Sequence, residues 1–188
     1  MGMVDLEIER KFFVFADNND LKRVLTGLKP NREERYYLYR RDGVELRFTK
    51  VEKSDKIIYQ FDRMEVLLQE GSKSHNVRRK QRLEISKFEF DELLDLVKTK
   101  DGGIKPIKRL SYTIQENPKI EIKVYKGRFE GLIRIEVEFA SVEEAKGYEK
   151  LAWFGREITD MSIGRDTNLP DLSDEEFKLI LTNLSNNV

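Results

Sequence analysis

The chain has 188 residues, 37% of them charged and 39% hydrophobic, with 35 Lys and Arg against 35 Asp and Glu and no cysteine. That length suits one domain, residues 1–188, with a sizeable core, and the balanced charge argues against wholesale nucleic-acid binding. The missing cysteine excludes disulfides, thiol catalysis and thiolate metal sites; with no apolar run near the roughly 20 residues of a membrane span and no visible secretion signal, a cytoplasmic protein without a membrane partner is expected.

Period-2 alternation predicts a first strand over Asp5–Phe15, and a short helix follows at Asp20–Leu28. Three strands come next, at Arg35–Arg41, Val44–Val51 and Lys56–Met64, and Asp42-Gly43 turns the first of these into the second as a tight hairpin. The polar stretch Gln69–Asn76 reads as a mobile loop before a fifth strand at Asn76–Ile85. Ser86 with Glu89 is a capping box for a helix that turns Phe88, Leu93, Leu94 and Val97 to one side. Three more strands, Lys105–Ile114, Lys119–Lys126 and Leu132–Phe139, are joined by "ENPK" and "GRFEG". The capping box recurs at Ser141 with Glu144 and at Ser173 with Glu176. The first opens a helix through Ala145, Tyr148, Leu151 and Ala152, the second one through Phe177, Ile180, Leu181 and Leu184.

Parity along the strands separates apolar from ionic residues. Ile133, Ile135, Val137 and Phe139 oppose Arg134, Glu136 and Glu138; Ile120, Ile122 and Val124 oppose Glu121 and Lys123. Val77 and Leu83 oppose Arg78, Lys80, Arg82 and Glu84; Leu46 and Phe48 oppose Glu45 and Arg47; Leu110 and Tyr112 oppose Arg109. At the start of the chain, Glu7, Glu9 and Lys11 share one face. A solvated sheet face usually mixes neutral polar residues, whereas this one is almost wholly ionic and carries both signs within single strands. The fold class is therefore α+β, with eight antiparallel strands closed into a barrel, helices packed on its apolar outside and a charged lumen of about seven cations and about six carboxylates. Such a lumen calls for water, internal pairing and a highly charged guest, because burying an unpaired charge costs several kcal/mol. The cations suit a polyphosphate, and the carboxylates become compatible with it once Mg²⁺ or Mn²⁺ lies between them.

Glu7-Ile-Glu9-Arg-Lys11 is an E-x-E-x-K motif, and it resembles the signature of the CYTH superfamily, the triphosphate tunnel metalloenzymes. The resemblance continues in order through "ELRF", "VRRKQRLEI", "IEIKVYKGRFEGL", "GLIRIEVEF", "SVEEAKGYEKLAWFGREIT" and "NLP". It implies an eight-stranded tunnel that hydrolyses inorganic tripolyphosphate with Mg²⁺ or Mn²⁺, and loosely a homodimer. By position, Glu7 and Glu9 are metal ligands completed by Glu136 or Glu138, and Lys11, Arg47, Arg78 and Arg109 contact phosphate oxygens. Arg134 shares the lumen parity and joins the phosphate-binding set. Glu121 takes the first place of an E-x-D pair whose second acid is Lys123 here, and another acidic stretch appears as Lys80 and Arg82. These departures remove acids from a second metal site and supply cations that strengthen substrate binding; Glu84 supplies an acid only if a bulge shifts the fifth strand. Lys11 is a catalytic candidate with the lumen carboxylates Glu121 and Glu138, which are candidates for activating water. His75 is read as a solvated loop residue, Trp153 and Phe154 as packing residues, and Arg165 as a side chain that could reach the tunnel. Class IV-type adenylate cyclase, thiamine or nucleoside triphosphatase, and a non-catalytic polyphosphate- or nucleotide-binding module are the alternatives.

Overall fold

Alternating strands have one apolar and one ionic face, and eight of them can hide the ionic faces by closing on themselves. The computed structural model describes residues 3–67, 76–98 and 106–185. In it, β1 (Met3–Phe13), β2 (Asn31–Arg41), β3 (Val44–Lys53), β4 (Lys56–Val66), β5 (Asn76–Ile85), β6 (Ile107–Glu116), β7 (Lys119–Lys126) and β8 (Ile133–Phe139) form a closed barrel in the order β1-β5-β4-β3-β2-β6-β7-β8. Every neighbouring pair is antiparallel. The β2–β3 turn has Asp42 at φ 53° and Gly43 at φ 73°, the left-handed pair that a two-residue hairpin requires.

The apolar faces are covered from outside in three places. Helix α2 (Lys87–Lys98) lays Phe90 and Val97 over Tyr36 and Phe48 of β2 and β3. Helices α1 (Asn19–Leu25) and α3 (Val142–Gly147), with Phe154, cover Ile8, Phe12, Ile122, Ile135 and Val137 of β1, β7 and β8. Trp153 and Phe154 pack as expected, Phe154 lying 5.3 Å from the Phe12 ring. The third cover closes one end of the barrel. There Ile158, Ile163, Leu169 and Phe177 of helix α4 (Asp174–Ser185) pack on Phe13, Tyr37, Ile107 and Tyr125 at the strand ends. Among the described residues, no helix is long and apolar enough to cross a membrane.

All three capping boxes form: Ser86, Ser141 and Ser173 accept from the backbone N–H of Glu89, Glu144 and Glu176. Other expectations shift. Helix α1 ends at Leu25, not Leu28, because Thr26 is extended and Gly27 sits at φ +80°. Helix α3 stops at Gly147, before Tyr148, Leu151 and Ala152: glycine weakens the helix, and the Arg10 guanidinium donates to the carbonyls of Ala145 and Tyr148. Strand β1 ends at Phe13 rather than Phe15, and β2 begins at Asn31, four residues before the expected start. The first residues of the expected loop Gln69–Asn76, with His75, and the expected strand start at Lys105 lie outside the described residues.

Residues 155–159 extend the wall. Strand β5 pairs with β1 from Met3 to Glu9. Beyond that point the segment takes over: Phe13 N donates to Arg156 O at 2.9 Å and Ile158 N to Lys11 O at 2.8 Å. Thr159 Oγ1 accepts from Lys11 N at 2.9 Å, and Glu157 holds Arg10 at 2.7 Å.

Candidate active site

The inward faces enclose a cavity of about 260 Å³. Every lumen side chain expected from parity to carry the site lines it: Glu7, Glu9 and Lys11 on β1, Arg47 on β3, Arg78, Lys80 and Arg82 on β5, Arg109 on β6, Glu121 and Lys123 on β7, and Arg134, Glu136 and Glu138 on β8. Arg165 does not line it; the C-terminal segment enters through Asp166 and Thr167 instead. Glu84 stays outside, 67% exposed and 4.0 Å from Lys56: the unbulged register keeps it on the face of Arg82, but it lies past the mouth near the end of β5. Among the described residues the lining holds eleven cationic and eight acidic side chains, so the interior is positive although the chain is neutral.

The cavity has an open mouth and a closed depth. Arg82, Lys119 and Glu138 are 39%, 40% and 36% exposed, whereas Arg109, Arg134 and Asp166 are 5%, 1% and 4% exposed. Inside the mouth, buried Glu7 lies 3.2 Å from Lys80 and 2.7 Å from Arg78, and Glu9 lies 3.0 Å from Arg78 and 2.9 Å from Lys11. Burial alone would raise the Glu7 carboxyl, but Arg78 and Lys80 hold it far below the ordinary range. Burial lowers Lys11 against the pull of Glu9. Glu138 moves the other way, raised by burial and by the nearby Glu9 and Glu7 despite Lys119.

Further in, Lys123 Nζ lies 2.6 Å from Ser111 Oγ and 2.8, 3.8 and 4.0 Å from Glu121, Glu33 and Glu136. Burial opposes ionisation of Glu33, yet Arg109, Lys123 and Arg35 bring its carboxyl down to about 2. At the closed end Asp166 accepts from Arg35 at 2.6 Å, Arg109 at 2.5 Å and Arg134 at 2.7 Å, and from the Tyr125 hydroxyl. Arg134 also contacts Glu136 at 2.5 Å. Arg109 and Arg134 are thus engaged with the protein's own carboxylates.

Solved structures share this architecture. The inorganic triphosphatase NE1496 superposes with a TM-score of 0.53 at 23% identity, over 89% of this chain and 95% of that one. HpAC1 from Hippeastrum, described as a candidate adenylyl cyclase with a dominant triphosphatase activity, gives 0.52 at 17% identity over 75% and 83%. A conserved hypothetical protein from Pyrococcus furiosus gives 0.50 at 24% identity over 74% and 83%. The chain has the closed eight-stranded tunnel fold of these proteins. At these identities the likeness establishes the fold. No family model matches the sequence, and no curated protein matches it.

The donors of this tunnel suit one divalent ion just inside the mouth. Glu7 and Glu9 share the inward face of β1, and Glu138 stands beside Glu9 as its register partner on β8, available to act on water instead. Glu7 Oε2 is buried and ion-paired with the Arg78 guanidinium at 2.7 Å, and Glu9 Oε2 meets the same guanidinium at 3.0 Å, so the two carboxylates converge on one cation. Mg²⁺ and Mn²⁺ take oxygen donors of this kind, and Mg²⁺ commonly binds one or two carboxylates and completes its shell with phosphate and water. A ready-made cage is missing: among the described residues no three acids stand together to hold a metal. The second acidic group, Glu33, Glu121 and Glu136, surrounds an ammonium instead.

Sequence reasoning passed over Glu33, Arg35, Asp62 and Asp166. Glu33 lies in "NREE", ahead of the expected strand start, and Arg35 is the first residue of that expected strand, whose inward face was not assigned. Asp62 had a signal, since it keeps the parity of Gln60; it is 1% exposed and pairs with Arg82 at 2.7 Å and Arg47 at 3.2 Å. Asp166 had none, because no periodicity marks "SIGRD".

Proposed function

We propose that the tunnel hydrolyses inorganic tripolyphosphate with Mg²⁺ or Mn²⁺. The observation that carries this reading is a cavity closed at one end, with a surplus of cations around a buried carboxylate pair, Glu7 and Glu9. A polyphosphate enters from the open mouth and is held by Lys11, Arg47, Arg78, Lys80, Arg82 and Lys123. Arginine forks match phosphate oxygens two at a time, and lysines add mobile point charge. Glu7 and Glu9 would hold the divalent ion, which when bound neutralises phosphate charge and fixes its oxygens. Water attacks the terminal phosphorus; the new P–O bond forms as the bridging P–O bond breaks, giving phosphate and pyrophosphate. Lys11 and Arg78 stabilise the charge that collects on the leaving oxygens. Between the two carboxylates placed to take the water's proton, Glu138 is the better base: its carboxyl is raised, whereas Lys123 and Lys119 lower that of Glu121 against the effect of burial. The reading includes a cytoplasmic location.

The test is phosphate release from tripolyphosphate, ATP and thiamine triphosphate, each with Mg²⁺, Mn²⁺ or chelator. Tripolyphosphate with metal is expected to turn over fastest, and chelator to abolish it. Tight binding without turnover would favour a binding module, and cyclic AMP from ATP a cyclase.

A further inference from the structure

We propose that Asp166 is a built-in anion that fills the innermost phosphate position of the tunnel and so limits how many phosphates a chain can insert. The proposal rests on the triphosphate reading above and adds a length rule to it. Arg35, Arg109 and Arg134 come from β2, β6 and β8, and all three point inward because of strand parity. Their guanidinium groups converge on one carboxylate at 2.6, 2.5 and 2.7 Å, and the Tyr125 hydroxyl donates to the same group. Three arginines and a hydroxyl around one point make a phosphate-binding arrangement, since the fork that grips a carboxylate grips a phosphoryl group equally well.

The barrel builds this cluster, but its anion comes from elsewhere. Asp166 belongs to the segment after β8, seated by Ile163 and Leu169 in the cap. Gly164 allows the segment to close, since a side chain there would collide with the Ile158 carbonyl. Glu33 and Glu136 already flank Arg109 and Arg134, so one more negative charge balances the cluster. Asp166 supplies it, and phosphates entering from the mouth stop at the cations outside it.

The experiment uses inorganic phosphate and linear polyphosphates of three and four units. Asp166→Ala and Asp166→Asn leave buried arginines short of an anion, so both variants are expected to melt below wild type in sodium chloride. Replacing chloride with inorganic phosphate at equal ionic strength should raise the Tm of both variants more than that of wild type. Equal shifts in all three proteins would overturn the proposal. By calorimetry, wild type should bind tetraphosphate no tighter than triphosphate, and Asp166→Asn should shift that preference toward the longer chain by about tenfold. A wild-type affinity that climbs with each added phosphate would also overturn it, and this measurement needs no variant. If wild type bound no polyphosphate, the triphosphate reading would fail, while phosphate rescue of the variants would still decide the role of Asp166.

Discussion

Lys123 is the residue at which this tunnel departs most clearly from its motif. Where an acid was expected, an ammonium stands within 4.0 Å of Glu33, Glu121 and Glu136 and is 4% exposed. It neutralises in place the carboxylates that would otherwise call for a second divalent ion. Titration with Mn²⁺, followed by electron paramagnetic resonance, is therefore expected to saturate at about one ion per chain, the number the Glu7–Glu9 pair supports. Two equivalent ions would contradict this. Removing Lys123 as Lys123→Ala leaves its carboxylates facing one another and should cost about 3 kcal/mol of stability in urea unfolding, the scale for breaking a buried pair from one side. The inward placement of Glu7, Glu9, Lys11 and Arg78 was legible because strand parity is a local rule. Asp166 was not, since it reaches the lumen through packing of a distant segment on the barrel end.

The elements were legible to the same degree. Eight alternating segments became eight strands, and the three Ser-x-x-Glu boxes became three helix starts. The misplaced boundaries at β2 and α3 have long-range causes. Polar "NREE" is strand because it pairs with β6, where Glu33 meets its register partner Arg109 at 2.7 Å, and α3 stops where Arg10 of β1 takes its carbonyls. The segment at 155–159 shows the same dependence. A Cβ on Gly155 would run into the Phe13 carbonyl, so this strand-like segment packs against β1 only with glycine there. Gly155→Ala should thus cost about 1–3 kcal/mol in urea unfolding, and loosen the Thr159 contact with Lys11 enough to lower triphosphate affinity. Unchanged stability would show that the wall tolerates a gap at this point.

For the molecule as a whole, neutral net charge conceals a charged interior, and that interior sets its response to acid. Glu33 is brought down to about 2, and Glu7, Asp62, Glu136 and Asp166 also lie well below their ordinary values, each against the effect of its own burial. Groups lowered in the folded state stabilise it above their unfolded values, near 4, and lose that contribution as pH falls toward the folded ones. The urea midpoint should hold between about pH 7 and 5, then fall steadily from about pH 4 to 2. A midpoint flat down to pH 2.5 would mean that the lumen pairs contribute little. The central claim joins this interior to chemistry, through the buried Glu7 and Glu9 carboxylates and the cations around them. Phosphate release from tripolyphosphate by wild type and Glu9→Gln, each with saturating Mn²⁺, tests it most directly. The expected result is turnover by wild type and a loss of at least about a hundredfold in the variant, the usual scale for removing one electrostatic contact to the transition state. Equal rates, or no phosphate release by wild type, would contradict it.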